Sequence, residues 1–251
     1  MYDIVPDLEI FWKGKIPLEN VKWNFFSERE HFLSDELEIR REEIWKNEIA
    51  NYPETYDGDI LILEDFHLID DQMVFNLGFI KFSRVLTLDK VKQRPPGYGT
   101  LGMQAIIFSP CETNVLAGIR SDTLPYCPLF HTVPGGILEV FDTKGNFESA
   151  CMRELNEEVE INLEPEKFLS AIIQEYHGSV GAAAIITTSV SDNPKMDEKI
   201  KGNEEWKDGL LSWYPVDHLE DVKFENSLEG LLFLKSEREI FTRTGSSGFW
   251  K

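Results

Sequence analysis

The segment from residue 147 to residue 160 constrains the fold most, because it separates apolar and acidic residues on one predicted helix. At 3.6 residues per turn, one stripe of that helix is apolar and consists of Met152, Leu155 and Val159. A second stripe is acidic, spans about a third of the helix circumference, and consists of Glu154, Glu157 and Glu158. The sequence therefore predicts a helix that packs on a sheet with one side and presents three carboxylates on another.

Short apolar, β-branched and aromatic runs on both sides of this helix predict strands. The runs cover residues 60–68, 73–88, 103–109, 114–120, 171–176, 182–190 and 210–216. Two further helices are expected, one starting at the capping-box spacing of Ser27 and Glu30 and ending before Pro53, the other over 228–241. The polar stretch 191–208 is predicted to be an exposed loop.

A Pro-Pro-Gly break at residues 95–97 suggests a boundary between an N-terminal extension, 1–95, and a second domain, 96–251. The extension contributes a helix and strands, and the second domain contains the acidic helix. The long N-terminal helix also allows an alternative, an interaction protein that docks a partner. That alternative predicts an exposed apolar stripe along residues 33–49, whereas an enzyme would pack the stripe internally.

Composition narrows the function classes. The formal charge of −20 repels phosphate backbones, so we expect no nucleic-acid partner. No apolar run approaches the ~18 residues that a membrane span needs, so we expect no membrane association. The three cysteines form no CxxC pair and the N-terminus carries no signal-like pattern, which favours a cytoplasmic location. A homodimer is left open.

The acidic stripe suggests a metal site. Like charges about 4 Å apart repel by about 4 kcal/mol in a surface-like dielectric, and a divalent cation with oxygen ligands removes that repulsion. Mg²⁺ binds a few carboxylates together with substrate phosphate oxygens and water. Upstream, Gly135 and Gly136 allow a close backbone approach to a metal or phosphate, and Glu139 follows them. A solvated glutamate-rich helix face is the alternative interpretation of the same residues.

This segment resembles the signature of the Nudix hydrolases, G-x5-E-x7-R-E-U-x-E-E-x-G-U, where U is aliphatic. The residues that match it are Gly136, Arg153, Glu154, Leu155, Glu157, Glu158 and Ile161. The chain departs from the signature in two places. Gly136 and Arg153 lie 17 residues apart, three more than in the family, so the first signature glutamate falls on Asp142 or on Gly145 depending on the direction of counting. Glu160 stands where the family has a glycine.

The resemblance implies a Nudix-type α/β/α sandwich with a mixed sheet, and hydrolysis of a diphosphate bond in a small nucleoside diphosphate derivative. It implies Mg²⁺, or Mn²⁺ in its place, bound by Glu154, Glu157 and Glu158 with Gly135. Arg153 would orient a helix glutamate, and Glu205, ahead of the last predicted strand, is a candidate base or further ligand, with Glu204 beside it. Gly136 and Glu139 are candidate substrate-binding residues. Arg94 is a further candidate, because it forms a local basic cluster with Lys90 and Lys92 in an acidic chain.

A fainter similarity of residues 74–90 to a UDP-glucose-cleaving branch ranks nucleotide sugars first among substrates. ADP-ribose and dinucleoside polyphosphates come next. A Nudix-fold binding module without hydrolysis is the remaining alternative.

Overall fold

The computed structural model describes residues 10–91, 99–109, 114–122, 131–159, 167–174, 180–187 and 199–215. The strands in this part of the chain are β1 Ile10–Pro17, β2 Val21–Glu30, β3 Asp59–Ile69, β4 Gln72–Lys81, β5 Leu101–Phe108, β6 Asn114–Arg120, β7 His131–Thr132, β8 Gly135–Ile137, β9 Lys167–Gln174, β10 Val180–Thr187, β11 Lys199–Lys201 and β12 Trp206–Pro215. The α-helices are α1 Asp35–Asn51, α2 Phe82–Val91 and α3 Phe147–Glu158, with 3-10 helices at Leu18–Asn20 and Val140–Lys144.

The described strands form two sheets. The larger has nine strands in the order β1-β9-β10-β5-β6-β12-β11, with β7 paired to β6 and β8 paired to β5. The β10–β5 pair is parallel and the other pairs of this sheet are antiparallel. The predicted mixed sheet is therefore confirmed, and so is the α/β class.

The smaller sheet has the order β2-β4-β3 and belongs entirely to the N-terminal part. Its strand β3 also bonds to the rest of the chain, because the Leu61 N–H donates to the Leu138 carbonyl (2.9 Å) and the Leu63 N–H to the Gly99 carbonyl (3.0 Å). Farther upstream, β1 pairs with β9 in the larger sheet. The N-terminal part thus contacts the rest of the chain through backbone hydrogen bonds. The division of the chain at residue 95 stays a prediction.

Helix α3 contributes to a core that both sheets share. Phe147, at its first turn, makes edge contacts with Phe75 of β4 and Trp23 of β2, with ring centroids 5.6 and 6.0 Å apart. Leu155 lies in the same buried cluster as Met103 of β5 and is 1% exposed. Burial of these side chains fixes the rotation of α3 about its axis.

The predicted helix start at Ser27 is wrong. Ser27 lies within β2, whose first five residues pair in parallel with β4. Helix α1 begins only after Ser34, whose side chain accepts the Leu37 N–H at 3.4 Å. Strand pairing across the sheet outweighs the local capping pattern, because it satisfies a run of backbone groups where the cap satisfies one or two.

The predicted strand over 73–88 ends at Lys81, and α2 follows it. Asp57, from the loop before β3, accepts both the Ser83 N–H (2.7 Å) and the Ser83 hydroxyl (2.8 Å). A carboxylate at a helix N-terminus satisfies free backbone donors and complements the helix dipole. Because this carboxylate comes from 26 residues away, the local sequence does not reveal the start of the helix.

The apolar stripe along residues 33–49 is half-buried. Leu33, just before α1, and Leu37 contact the buried cluster around Ile80 and Val85, and Trp45 makes an edge contact with Phe82 at 6.3 Å. The structure therefore covers part of the stripe, at Leu33, Leu37 and Trp45, and leaves Ile49 at its end 40% exposed.

The remaining predicted elements divide into three groups. The strands at 60–68, 103–109 and 114–120 are confirmed, and those at 171–176, 182–190 and 210–216 are confirmed where the structure describes them. The loop at 191–208 is wrong in part, since Lys199–Lys201 is a strand and Trp206 is 3% exposed. The helix at 228–241 lies outside the described residues. None of the described helices has the length and apolar character of a bilayer span.

Candidate active site

Helix α3 places the predicted glutamates on two sides rather than on one. Asn146 caps its N-terminus by accepting the Ser149 N–H at 2.8 Å. Glu154 and Glu158, one turn apart, are 9% and 5% exposed, whereas the Glu157 side chain is 57% exposed. The acidic stripe therefore consists of a buried pair and one carboxylate at the outer edge.

The two glycines of β8 contact the buried carboxylates of Glu154 and Glu158. The Gly135 N–H donates to Glu158 Oε2 at 2.8 Å. A Cβ atom on Gly136 would overlap the Glu154 carboxylate, so any side chain there would displace that group. Pairing of β8 with β5 in the larger sheet fixes the position of both glycines. The close approach expected of the Gly-Gly pair is thus made to the helix carboxylates.

Arg153 connects the carboxylates around this pair. Its guanidinium binds Asp142 through two hydrogen bonds of 2.9 Å and Glu157 through one of 3.0 Å, and it also donates to Glu154. The Asp142 side chain is 1% exposed and also accepts the Glu139 N–H at 2.9 Å. Bidentate pairs of this kind fix geometry as well as supply energy. The described hydrogen bonds of Arg153 are therefore directed at protein carboxylates.

Asp142 and Gly145, the two positions that counting left open, make different contacts in the structure. Of the two candidates for the first acidic position, Asp142 carries the carboxylate that binds Arg153, whereas Gly145 has no side chain and its carbonyl accepts the Trp23 indole N–H at 3.3 Å. The direct count from Gly136 had indicated Asp142. Its contact with Arg153 could be seen only in the fold of the inserted loop.

Burial dominates the electrostatics of the pair. It raises the pKa of Glu154 to about 7, with Glu157 and Asp142 adding to the rise and Arg153 opposing it. Burial likewise raises the pKa of Glu158 well above its ordinary value, reinforced by the negative charges of Glu205 and Glu154. Negative charge in this part of the molecule is therefore incompletely neutralised by the protein's own cations.

The residues around the start of β12 contact the C-terminal end of α3. The Glu158 carbonyl accepts the Trp206 indole N–H at 3.1 Å and the Asn203 N–H at 3.2 Å. Glu205, between these two residues, acts electrostatically on the Glu158 carboxylate, while Glu204 is exposed. The structure thus brings the predicted Glu205 to the buried pair.

Two residues that the sequence did not single out also lie here. Arg120, at the end of β6, pairs across the sheet with Trp206, and its charge opposes the rise in the Glu158 pKa. Its Nε is buried and has no hydrogen-bond partner among the described residues. Tyr56, in the loop before β3, donates its hydroxyl to Glu139. In the sequence, Arg120 could have been noticed as a single cation at the end of an apolar strand. No sequence pattern indicated Tyr56.

The predicted site residues therefore gather in one place where the structure describes them. Gly135, Gly136, Glu154, Glu158 and Glu205 lie together, with Arg153 and Glu157 at one edge and Glu139 linked to Arg153 through Asp142. Arg94 lies outside the described residues.

The donor chemistry of the pair fits a hard divalent cation. Glu154 and Glu158 supply carboxylate oxygens, and burial raises the pKa of both groups, so a bound cation would stabilise their charged forms. Within the described ranges, no three His, Cys, Asp or Glu side chains stand close enough together to ligate one ion. A cation here would therefore draw its remaining ligands from backbone, water or substrate oxygens.

Among known proteins, the matches to this chain are solved structures of low sequence identity. No family model and no curated protein matches the chain. Solved structures that match include a Nudix hydrolase of M. smegmatis, RenU, which is 17% identical, covers 58% of this chain and 86% of its own, and has a TM-score of 0.40. The NUDIX domain of Shewanella oneidensis NrtR, complexed with ADP ribose, is 15% identical, with coverages of 61% and 97% and a TM-score of 0.40.

A third match is a bifunctional NMN adenylyltransferase/ADP ribose pyrophosphatase of Francisella tularensis, complexed with AMP and a manganese ion. It is 16% identical, covers 60% of this chain and 44% of its own, and has a TM-score of 0.40. Likenesses of this size say nothing about the activity of the present chain, which we infer from its own residues.

Proposed function

We propose that this protein is a divalent-metal-dependent hydrolase that cleaves the diphosphate bond of a nucleoside diphosphate linked to another group. The observation that carries the proposal is the buried pair Glu154 and Glu158, held against Gly136 and Gly135 with too little positive charge around it. Burial of these carboxylates lowers the stability of the fold. Buried ionisable groups of this kind are typical of functional sites.

Glu154 and Glu158 would hold Mg²⁺ or Mn²⁺, with the backbone of Gly135 as a further predicted ligand. Glu157, the third carboxylate predicted as a ligand, does not converge with this pair on one ion among the described residues. When bound, such an ion neutralises diphosphate oxygens and lowers the pKa of a coordinated water. Arg153, fixed by the buried Asp142, would orient Glu154 and Glu157 through its hydrogen bonds to both.

The remaining groups of the site have separate roles in this proposal. Glu205, whose charge acts on Glu158, is the candidate base that accepts a proton from the attacking water. Arg120 is the cation for a substrate phosphate, because the donors of Arg153 are directed at three carboxylates while Arg120 Nε has no partner in the described part of the chain. Glu139, Gly136 and Arg94 stay the proposed substrate contacts from the sequence.

Nucleotide sugars such as UDP-glucose rank first among substrates on the sequence pattern of residues 74–90, followed by ADP-ribose and dinucleoside polyphosphates. The described contacts do not separate these molecules. A small-molecule substrate, a cytoplasmic location and a homodimer stay predictions.

The test is a screen of nucleoside diphosphate derivatives with Mg²⁺, scored for both products, followed by Glu158→Gln on the best substrate. We expect kcat to fall by about 10²–10³, as for loss of a comparable charge-stabilising group, with a far smaller change in KM. Glu43→Gln is the matched control, because it removes the same charge from an exposed position on α1. Absence of metal-dependent turnover by the wild-type chain on every substrate would refute the proposal.

One observation favours the non-catalytic alternative, namely that no three carboxylates converge as metal ligands in the described ranges. A binding module predicts that nucleotides bind the wild-type chain but are never cleaved, with or without Mg²⁺. The same screen, read by calorimetry as well as by product analysis, separates the two functions.

A further inference from the structure

The loop between α1 and β3 brings the N-terminal part to the edge of the proposed active site. Its position is fixed by the first residues of β3, since Leu61 bonds to the Leu138 carbonyl at 2.9 Å and Ile60 stands opposite Glu139 in a β-bridge. Tyr56 lies in this loop, four residues before Ile60. The backbone pairing therefore places Tyr56 beside the segment that links β8 to the 3-10 helix at 140–144.

Tyr56 is fixed at its hydroxyl and free at its ring. The hydroxyl donates to Glu139 Oε1, whereas the residue as a whole is 62% exposed. Gly58 makes this contact compact, because a Cβ atom there would stand 2.9 Å from Tyr56 Cε2 and 3.2 Å from Glu139 Oε1. An aromatic ring held at one end loses little conformational entropy when a ligand covers its face.

The ring stands at the rim of the acidic centre. Glu139, which accepts its hydroxyl, donates its own N–H to Asp142, and Asp142 binds Arg153. Ile137 and Phe141, two residues to either side of Glu139, are 43% and 45% exposed. Exposed apolar and aromatic side chains thus border the carboxylates that would bind the diphosphate end of a substrate.

We propose that Tyr56 is the residue on which the base of the nucleotide substrate stacks, so that the N-terminal part contributes to substrate recognition. This inference rests on the proposed function, since it takes the substrate to be a nucleotide. A nucleobase is planar and uncharged, and every base has a π-face that stacks on an aromatic ring. The diphosphate would lie at the buried pair, and the base would extend over the rim.

Calorimetric titration with Mg²⁺ present tests this inference without requiring turnover. The ligands are AMP and UMP, which carry a base, and ribose 5-phosphate, which does not. Tyr56→Ala should weaken binding of both nucleotides by about 5- to 160-fold, the range for loss of one stacked base, and leave ribose 5-phosphate unchanged. Tyr56→Phe keeps the ring and should bind nucleotides within about threefold of wild type.

Leu68→Ala is the control, because Leu68 is similarly exposed at 55% but lies at the other end of β3, roughly 25 Å away along the strand. Thermal melts of each variant check that it is folded. Equal losses for nucleotides and ribose 5-phosphate in Tyr56→Ala would overturn the inference, as would no loss in that variant or a loss in Tyr56→Phe as large as in Tyr56→Ala.

The failure of the inference and of the proposed function are distinguishable. If the wild-type chain cleaves a nucleoside diphosphate derivative but binds AMP and UMP no better than ribose 5-phosphate, stacking on Tyr56 is refuted and hydrolysis stands. If it neither cleaves such compounds nor binds nucleotides, both proposals are refuted.

Discussion

Replacement of Glu154 by glutamine should stabilise the metal-free protein at alkaline pH. The Glu154 side chain is 11% exposed, and burial raises its pKa from an ordinary 4.5 to about 7. Because the native state holds this proton more tightly than the unfolded chain, the stability that the proton provides is fully present below pH 4.5. That stability is lost as the pH rises through about 7.

The magnitude follows from the two pKa values. The interval from 4.5 to about 7, at about 1.4 kcal/mol per pH unit, corresponds to about 3 kcal/mol of stability lost by the wild-type protein through Glu154. Glutamine has the same shape and does not ionise, so Glu154→Gln avoids this loss. It keeps an amide oxygen for Arg153, which also retains Asp142 and Glu157 as partners.

The assay is urea unfolding of both proteins in EDTA at pH 4.5 and pH 8, followed by tryptophan fluorescence. We expect equal free energies of unfolding at pH 4.5 and a variant more stable by about 2–3 kcal/mol at pH 8, with unchanged m-values. Glu43→Gln controls for the loss of one charge at an exposed position. A Glu154→Gln protein less stable than wild type at pH 8 would show that the ion pair with Arg153 outweighs burial, and the electrostatic account of the site would be wrong.

Two further predictions concern packing and metal. Leu155→Ala should lower the free energy of unfolding by about 2–5 kcal/mol, because the side chain is 1% exposed within the shared core. A loss below about 1 kcal/mol in urea unfolding would show that Leu155 does not face this core. Millimolar Mg²⁺ or Mn²⁺ should raise the Tm of the wild-type protein by binding the native state, and should raise that of Glu158→Gln less. An equal shift for both proteins in a thermal melt would argue against Glu158 as a ligand.

The sequence determined the parts of the fold that depend on local patterns. Helix α3 lies where its two stripes predicted, although it ends at Glu158 rather than at Glu160, and the strands β3, β5, β6 and β12 lie in the predicted apolar runs. The sequence predicted that the Gly-Gly pair and the helix carboxylates form one site, because they lie within some 25 residues of each other and match a known signature.

Elements capped or paired from a distance could not be predicted in this way. Ser27 carries a sound capping pattern, yet its segment is a strand because β4 pairs with it. The apolar run after β4 becomes α2, with Ser83 in its first turn bound by Asp57 from another loop. In both places a long-range backbone or capping contact replaced the local preference, since tertiary hydrogen bonds and burial exceed the few tenths of a kcal/mol by which propensities differ.

The sequence also left the roles of the acidic residues unsorted, and only the tertiary structure distinguished them. Helical spacing put Glu154, Glu157 and Glu158 on one stripe, but packing of Phe147 and Leu155 sets the rotation that buries two and exposes the third. The path of the inserted loop places Asp142, and not Gly145, against Arg153. Pairing of β3 with residues 138–139 places Tyr56 beside Glu139. The reason is the same in each case: sequence spacing fixes which side chains can be neighbours along an element, whereas burial and contacts between elements decide which of them meet.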